Sequence, residues 1–303
     1  MDSASRPGVG RAPSSGAGFC RRVIVRGVAA CAAAALMPQP LAAQQRLVRF
    51  GLTPVFLTSD LDLLVALRAY LERAWDREVQ LVTRRTYQEI MLLLVSGQID
   101  AAWICGYPFV RHRESLDLVS VPMWRGQPLY QSYVIVGADR RASTFTDLEG
   151  DVHAFSDPDS NSGFLVTRAL LADDRMRPET FFRRTVFTYG HRNVVRAVAS
   201  GLAGSGSVDG YVYDVLANVE PDLVAGTRVL RRSEWLGFPP IAASRHRPSD
   251  LPSDALASAF LRMGAEQDGR RVLDLLKLDG FIPGDVALFD SIAAKLDHVR
   301  SAG

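Results

Sequence analysis

The sequence predicts an α/β fold of two similar lobes with a ligand cleft between them, and three observations carry that expectation. Strand-like and helix-like segments alternate along the chain. A helix, a glycine stop and a strand over residues 81–106 return in the same order over residues 192–216. The length of 303 residues also exceeds what one core usually organises.

The chain opens on a segment that does not belong to the fold. Residues 1–43 read as an export signal: Arg21 and Arg22 precede an apolar run from Val28 to Met37, and small residues near Ala43 offer a cleavage site. "CRRVIVR", residues 20–26, carries the twin-arginine pattern and is favoured over an ordinary Sec signal. Cys31 ends a lipoprotein-like "VAAC", but Arg26 leaves too short an apolar stretch before it for lipid anchoring. No run approaches the roughly 20 apolar residues of a membrane span.

From about Gln44 the elements follow in order. "RLVRFGLTP", residues 46–54, alternates as a strand and closes at Pro54. Ser59 then caps a helix whose Leu61, Leu64, Leu67 and Leu71 recur at helical spacing. Thr86 and Glu89 form a capping box for the next helix, Gly97 supplies its left-handed stop, and "IDAAWIC" reads as a buried strand. The second unit repeats this with a helix from about Asn193, a Ser200-Gly201 stop, a Gly/Ser loop and a strand "VDGYVY". Asp100 and Asp209 read as turn residues at the ends of the stop loops. "YVIVGA", residues 133–138, and "FPPIAAS", residues 238–244, flank the middle segment and read as hinge strands. The first lobe is thus expected over 44–138 and again, with the C-terminal helices, over 237–303, and the second over 139–236.

Composition removes several function classes. Lys+Arg 35 against Asp+Glu 33 leaves no basic footprint for nucleic acid. Cys105 is the single cysteine beyond the signal, so no internal disulfide forms there. No nucleotide-binding glycine motif is present, the five histidines are too scattered to share a metal with Cys105, and neither metal nor cofactor is expected. Ser162, His191 and Asp214 offer the residue types of a hydrolytic triad, but Ser162 lacks the G-x-S-x-G elbow, which leaves a hydrolase as a remote alternative.

A binding protein accounts for more. "FSDPDSNSGFLVTRALL", residues 155–171, sets Ser160, Asn161, Ser162 and Gly163 at the start of an apolar helix. Such residues cap a helix, and they also present hydroxyls and N–H groups to an anion at the positive end of the dipole. Helix starts at Thr86-Tyr87, at 160–163 and at 189–193 are expected to converge on one cleft, with hydroxyls, N–H groups and one imidazole for a small oxyanion.

"DPDSNSGFLVTR", "TYGHRNVVRAVASGLAGSGSVDGYVYDVL" and "QIDAAWICGYPFV" resemble, collinearly, three signature regions of the PhnD-like family of periplasmic phosphonate- and phosphite-binding proteins. The resemblance spans residues 46–297 and implies a type II periplasmic binding protein fold, a periplasmic location and service to an ABC importer permease, with the protein a monomer and not an enzyme. Carried over by position, it places Tyr87 and Tyr130 in the cleft from the first lobe, and Ser160, Asn161, Ser162 and His191 from the second. Asp214 matches one of two acidic residues that receive a ligand's amino group in the family. "GFPPIAAS" lacks the other, so an anion without an amine, such as phosphite, phosphate or methylphosphonate, is expected. A branch of the same family binds arsenite through one cleft cysteine and partners a membrane sensor kinase. Cys105 makes that the alternative reading, because a soft thiolate suits As(III).

Overall fold

The computed structural model describes residues 47–54 and 61–302. The export signal, Cys31 and the Ser59 cap lie outside the described residues. In chain order the strands are β1 (Val48–Leu52), β2 (Val79–Thr83), β3 (Ala101–Trp103), β4 (Leu116–Met123), β5 (Leu129–Tyr130), β6 (Ser132–Gly137) and β7 (Val152–Phe155). There follow β8 (Arg184–Phe187), β9 (Ser205–Asp209), β10 (Thr227–Arg232), β11 (Leu236–Gly237), β12 (Ile241–Ser244) and β13 (Gly280–Pro283).

Two sheets define two lobes. The first has the order β13-β4-β12-β3-β1-β2 and the second β10-β6-β9-β7-β8. In each, parallel strands (β2, β1 and β3; β8, β7 and β9) adjoin antiparallel ones supplied after the chain has crossed or turned back. Parallel strands need helical crossovers, which cover both faces and explain why β3, β9 and β12 are buried throughout.

The local signals hold at the first repeated unit. Thr86 and Glu89 make the reciprocal capping box of the helix Tyr87–Val95. Gly97 stops it at φ +70°, where a Cβ would lie 2.3 Å from the His246 carbonyl oxygen, so only glycine fits. In the helix Leu61–Trp75 the buried stripe is Leu63, Leu67, Tyr70 and Leu71, whereas Leu61 is exposed. Of the expected stripe Leu67 and Leu71 are buried and Leu64 is half-buried, and on the same buried face the Tyr70 hydroxyl donates to the Ala259 carbonyl.

In the second unit the expected Gly/Ser loop is itself the strand β9, and "GYVY" opens the helix Gly210–Val219. Small residues are required in β9 because the helix His191–Ala199 lies against it: a Cβ on Gly206 would meet Val194 Cγ1 at 2.6 Å and the Ala154 carbonyl at 3.1 Å. Cys105-Gly106 of the first unit and Asp209-Gly210 of the second hold the same local place, each the N-cap and first residue of the helix after a buried strand.

The two strands read as hinges are interior strands instead. "YVIVG" is β6, paired with β9 and β10, and "IAAS" is β12, paired with β3 and β4. The chain crosses between lobes at β5 and β11, which pair with each other through Tyr130 and Leu236. A short apolar run looks the same at a hinge and inside a sheet, and only the partner strands tell them apart. The second lobe packs its own aromatic cluster, with Phe155 against Phe164, Phe182 and Phe187, and His153 stacked on Phe182 at 4.2 Å. Among the described residues no helix is long and apolar enough to cross a membrane.

Candidate ligand-binding site

The loop after β7 ends in the predicted cradle. Ser160 is the N-cap, and its hydroxyl accepts the Gly163 N–H at 3.0 Å. Asn161–Leu165 then form a π-helical turn that runs into the α-helix Val166–Asp173. Such turns widen a helix by one residue and recur at functional sites. Here the widening is enforced by contact, because Gly163 lies so close to Ser156 that a Cβ would stand 1.9 Å from its Oγ and 2.8 Å from its Cβ.

The remaining cradle groups reach the first lobe. Asn161 donates its backbone N–H to Cys105 Sγ at 3.2 Å and its Nδ2 to the Tyr130 hydroxyl at 2.9 Å. The Ser162 carbonyl accepts the Ser132 hydroxyl at 2.6 Å, which orients the turn from β6. Asn161 Oδ1 is buried with no hydrogen-bond partner among the described residues, and Ser162 Oγ is buried with none of standard geometry, standing beside the Asp209 carboxyl and the Tyr130 hydroxyl. A buried polar atom without a partner is costly, so these two make the cluster the candidate ligand site.

His191 completes the second-lobe side. It is the first residue of the helix His191–Ala199, and its Nδ1 accepts the Asp209 backbone N–H at 3.0 Å. The proton therefore sits on Nε2, which donates to the Tyr87 hydroxyl at 3.2 Å across the cleft. Burial brings the His191 pKa down to about 3, so the ring is neutral at pH 7 and passes a hydrogen-bond direction to Tyr87 without adding charge. Tyr87, Cys105, Tyr130, Asn161, Ser162 and His191 are all nearly inaccessible to solvent, so the lobes meet over the site.

Tyr87, Cys105, Tyr130, Asn161, Ser162 and His191 thus come together as expected, and Asp214 does not join them. Its carboxylate pairs with Arg125 at 2.9 Å and accepts the Tyr133 hydroxyl at 3.3 Å, at the cleft rim. Ser160 serves as a cap, with its oxygen turned to Gly163 and not outward. The helix start at Tyr87 is also taken, since its N–H donates to Asp157 of the second lobe at 3.2 Å. The triad order is not made: Asp214 belongs to Arg125, and both His191 nitrogens are engaged elsewhere.

Two acidic residues of the site escaped the sequence reading. Asp157 holds the Tyr87 and Asp159 N–H groups and ties the lobes together. Asp209 lies buried at the end of β9, caps the next helix through Val212 N–H at 3.1 Å, and stands beside Ser162, Tyr87, Tyr130 and Cys105. Burial raises its pKa to about 7. The signal was present: aligning the repeats on "CGY" and "DGY" places Asp209 opposite Cys105, whereas the reading matched Asp209 with Asp100. Asp100 instead accepts Arg49 and Ser249 N–H groups inside the first lobe.

Among the described residues no arginine or lysine belongs to this cluster. Arg111 and Arg125 stay at its edge, on Asp159 and Asp214. The groups gathered here are hydroxyls, an amide, an imidazole and helix N-termini.

The sequence matches the family of periplasmic substrate-binding proteins of ABC phosphonate transporters over residues 50–289. The chain belongs to this family. Solved structures carry the same fold at low identity. A binding-protein component of a Pseudomonas aeruginosa ABC phosphonate transporter superposes with a TM-score of 0.78 at 19% identity, covering 85% of this chain and 88% of its own. PhnD1 from Prochlorococcus marinus, in complex with methylphosphonate, gives 0.75 at 16% identity over 84% of this chain and 98% of its own. A Xanthomonas citri protein bound to chloride gives 0.69 at 15% identity over 85% and 99%. The fold is that of the type II periplasmic binding proteins, and membership implies a periplasmic location and ligand delivery to an ABC permease. None of these matches brings arsenic chemistry with it.

Proposed function

We propose that this binding protein captures a small tetrahedral oxyanion of the phosphonate, phosphite and phosphate class in the cleft and hands it to its permease as a monomer, without catalysis. The observation that supports this reading is Ser162 Oγ, buried at a helix N-terminus with no hydrogen bond of standard geometry, in the same cluster as the neutral His191–Tyr87 pair and the Asn161–Tyr130 pair. Neutral donors and a dipole suit an anion that must also be released. The twin-arginine pattern at 20–26 and cleavage near Ala43 fit a receptor delivered to the periplasm.

A thermal-shift panel tests the reading. A cognate anion at about 100 times its dissociation constant stabilises the fold by roughly 2.7 kcal/mol, an upward Tm shift of about 5–10 °C for a chain of this size. Phosphite, phosphate and methylphosphonate are the expected positives. No shift with any of them contradicts the proposal.

A second reading, As(III) sensing with a membrane kinase as partner, rests on the position of Cys105 among these groups. There the thiol would exchange its proton for an S–As bond with release of water from As(OH)3. Burial pushes the thiol up to about 12, which keeps it protonated and weighs against this chemistry. An arsenite shift lost in Cys105→Ser, with no response to phosphite, is the result that favours it.

A further inference from the structure

We propose that Arg111 is a positioning residue for ligand binding: from the first lobe it holds Asp159, so that the loop carrying residues 160–162 keeps its ligand-holding shape only while the lobes are closed. This rests on the oxyanion reading above and adds a residue outside the cluster that holds the ligand.

The loop 156–162 alternates between the two lobes. Asp157 accepts the Tyr87 N–H at 3.2 Å, Asp159 pairs with Arg111 at 3.1 Å, and Asn161 donates to Cys105 Sγ at 3.2 Å and to the Tyr130 hydroxyl at 2.9 Å. All four partners come from the first-lobe side. Ser156, Ser160 and Ser162 serve the second lobe instead. The Ser156 N–H donates to the Gly163 carbonyl at 3.3 Å, the Ser160 hydroxyl accepts the Gly163 N–H, and the Ser162 carbonyl accepts the Ser132 hydroxyl.

One short helix of the first lobe takes hold of the loop at both of its ends. Gly106–His112 has Cys105 as its N-cap and Arg111 in its last turn. Its own place is fixed, since a Cβ on Gly106 would lie 2.7 Å from Ile292 Cδ1 and Phe109 packs on Phe289 at 4.9 Å. The site is nearly inaccessible to solvent, so a ligand enters and leaves only when the lobes part, and parting them breaks the holds at 157, 159 and 161 together.

Arg111 is the hold that brings charge. Asp157 and Asp159 set two carboxylates directly before an anion cradle, and burial together with the Asp159 charge raises the Asp157 pKa. Asp159 is buried, so the guanidinium both fastens the loop and offsets a charge that would repel the ligand. Without it Asp159 is a buried carboxylate with no cation, which favours the open cleft where water reaches it.

Stopped-flow tryptophan fluorescence on the mature protein, with whichever of methylphosphonate, phosphite or phosphate binds best, tests the proposal. Arg111→Gln is expected to release the ligand at least about 10-fold faster, with association within about threefold of wild type, because a lost clasp acts on dissociation. The Arg111 side chain is 43% exposed, so the ligand-free thermal midpoint of this variant is expected to stay within a few degrees of wild type. Arg111→Lys is expected to recover release to within about threefold of wild type, since the pair is a single Nη1–Oδ1 contact that a point charge can make. Asp159→Asn is expected to match Arg111→Gln, and the double variant to be no weaker than either single one.

Unchanged release from Arg111→Gln overturns the proposal while leaving the oxyanion reading in place. Additive losses in the double variant, or a loss in Arg111→Lys as large as in Arg111→Gln, overturn it as well. Failure of methylphosphonate, phosphite and phosphate all to bind the wild type removes the oxyanion reading itself and this proposal with it.

Discussion

Gly163→Ala is expected to weaken oxyanion binding by more than about 100-fold and to destabilise the fold by about 1–3 kcal/mol. The cause is steric. The new methyl would lie 1.9 Å from Ser156 Oγ, 2.8 Å from Ser156 Cβ and 2.9 Å from Ser160 Oγ. Rotating Ser156 relieves the first contact and leaves the second, so the backbone of the π turn has to move. A displacement of this turn carries Ser162 Oγ and Asn161 with it, and a binding site tolerates about 0.5 Å before its hydrogen bonds fail. Gly137→Ala is the control, because a Cβ there meets nothing within 4 Å. Titration calorimetry with methylphosphonate and chemical denaturation of both variants check the result. Full affinity in Gly163→Ala would separate the π turn from the ligand.

Acidification from pH 6.5 towards 4 is expected to remove the stabilisation that two neutral, buried histidine rings give the ligand-free protein. His153 is fully buried between the Ser205 and Ser207 hydroxyls, and burial holds its pKa at about 3, as it does for His191. Unfolded, both rings titrate near 6.5. Between those values the unfolded chain binds two protons that the native protein does not, so this stabilisation is complete above pH 6.5 and is lost as pH falls. Asp209 acts in the opposite sense. Its native pKa of about 7 lies above the unfolded 3.8, so the native state takes up a proton as pH falls through 7 and gains stability down to 3.8.

Burial raises Asp157 and Asp214 as it does Asp209 and lowers His112 as it does the two buried rings, so the contribution of His153 is read as the difference between wild type and variant. Urea midpoints at intervals between pH 7 and 4.5 measure it. His153→Gln, which keeps polar contact with the two serines, is expected to flatten the dependence. The same pH dependence in wild type and His153→Gln contradicts the assignment of a neutral buried ring at His153.

What was legible in the sequence follows the range of the interactions involved. The capping box at Thr86 and Glu89, the stop at Gly97 and the repeated helix-strand order depend on neighbours a few residues away, and the structure has them as read. The convergence of Tyr87, Tyr130, Asn161, Ser162 and His191 depends on contacts between residues 31 to 104 positions apart, and it came from motif resemblance. The errors arose where local chemistry pointed the wrong way. Gly and Ser in β9 look like a loop until the helix His191–Ala199 is packed against Gly206. Asp209 looks like a turn residue until the first lobe brings Tyr87, Tyr130 and Cys105 up to it. Asp214 fell outside the cluster because Arg125, on a hairpin of the other lobe, claims it, and nothing within ten residues of Asp214 announces that partner.

Ser162 Oγ is the atom on which the functional reading turns, and removing it is the direct test. Ser162→Ala deletes a buried hydroxyl that makes no hydrogen bond of standard geometry, although it stands beside the Asp209 carboxyl and the Tyr130 hydroxyl, so the fold is expected to lose no more than a few degrees in thermal midpoint in the absence of ligand. Affinity for the cognate oxyanion is expected to fall by about 1.5–3 kcal/mol, the range for a hydrogen bond to a charged group. Titration calorimetry of wild type and Ser162→Ala with whichever of methylphosphonate, phosphite or phosphate binds best reads both quantities on one sample. Weakened binding with an unchanged fold is the predicted result. Unchanged affinity would contradict the account, returning residues 160–163 to the role of a helix cap.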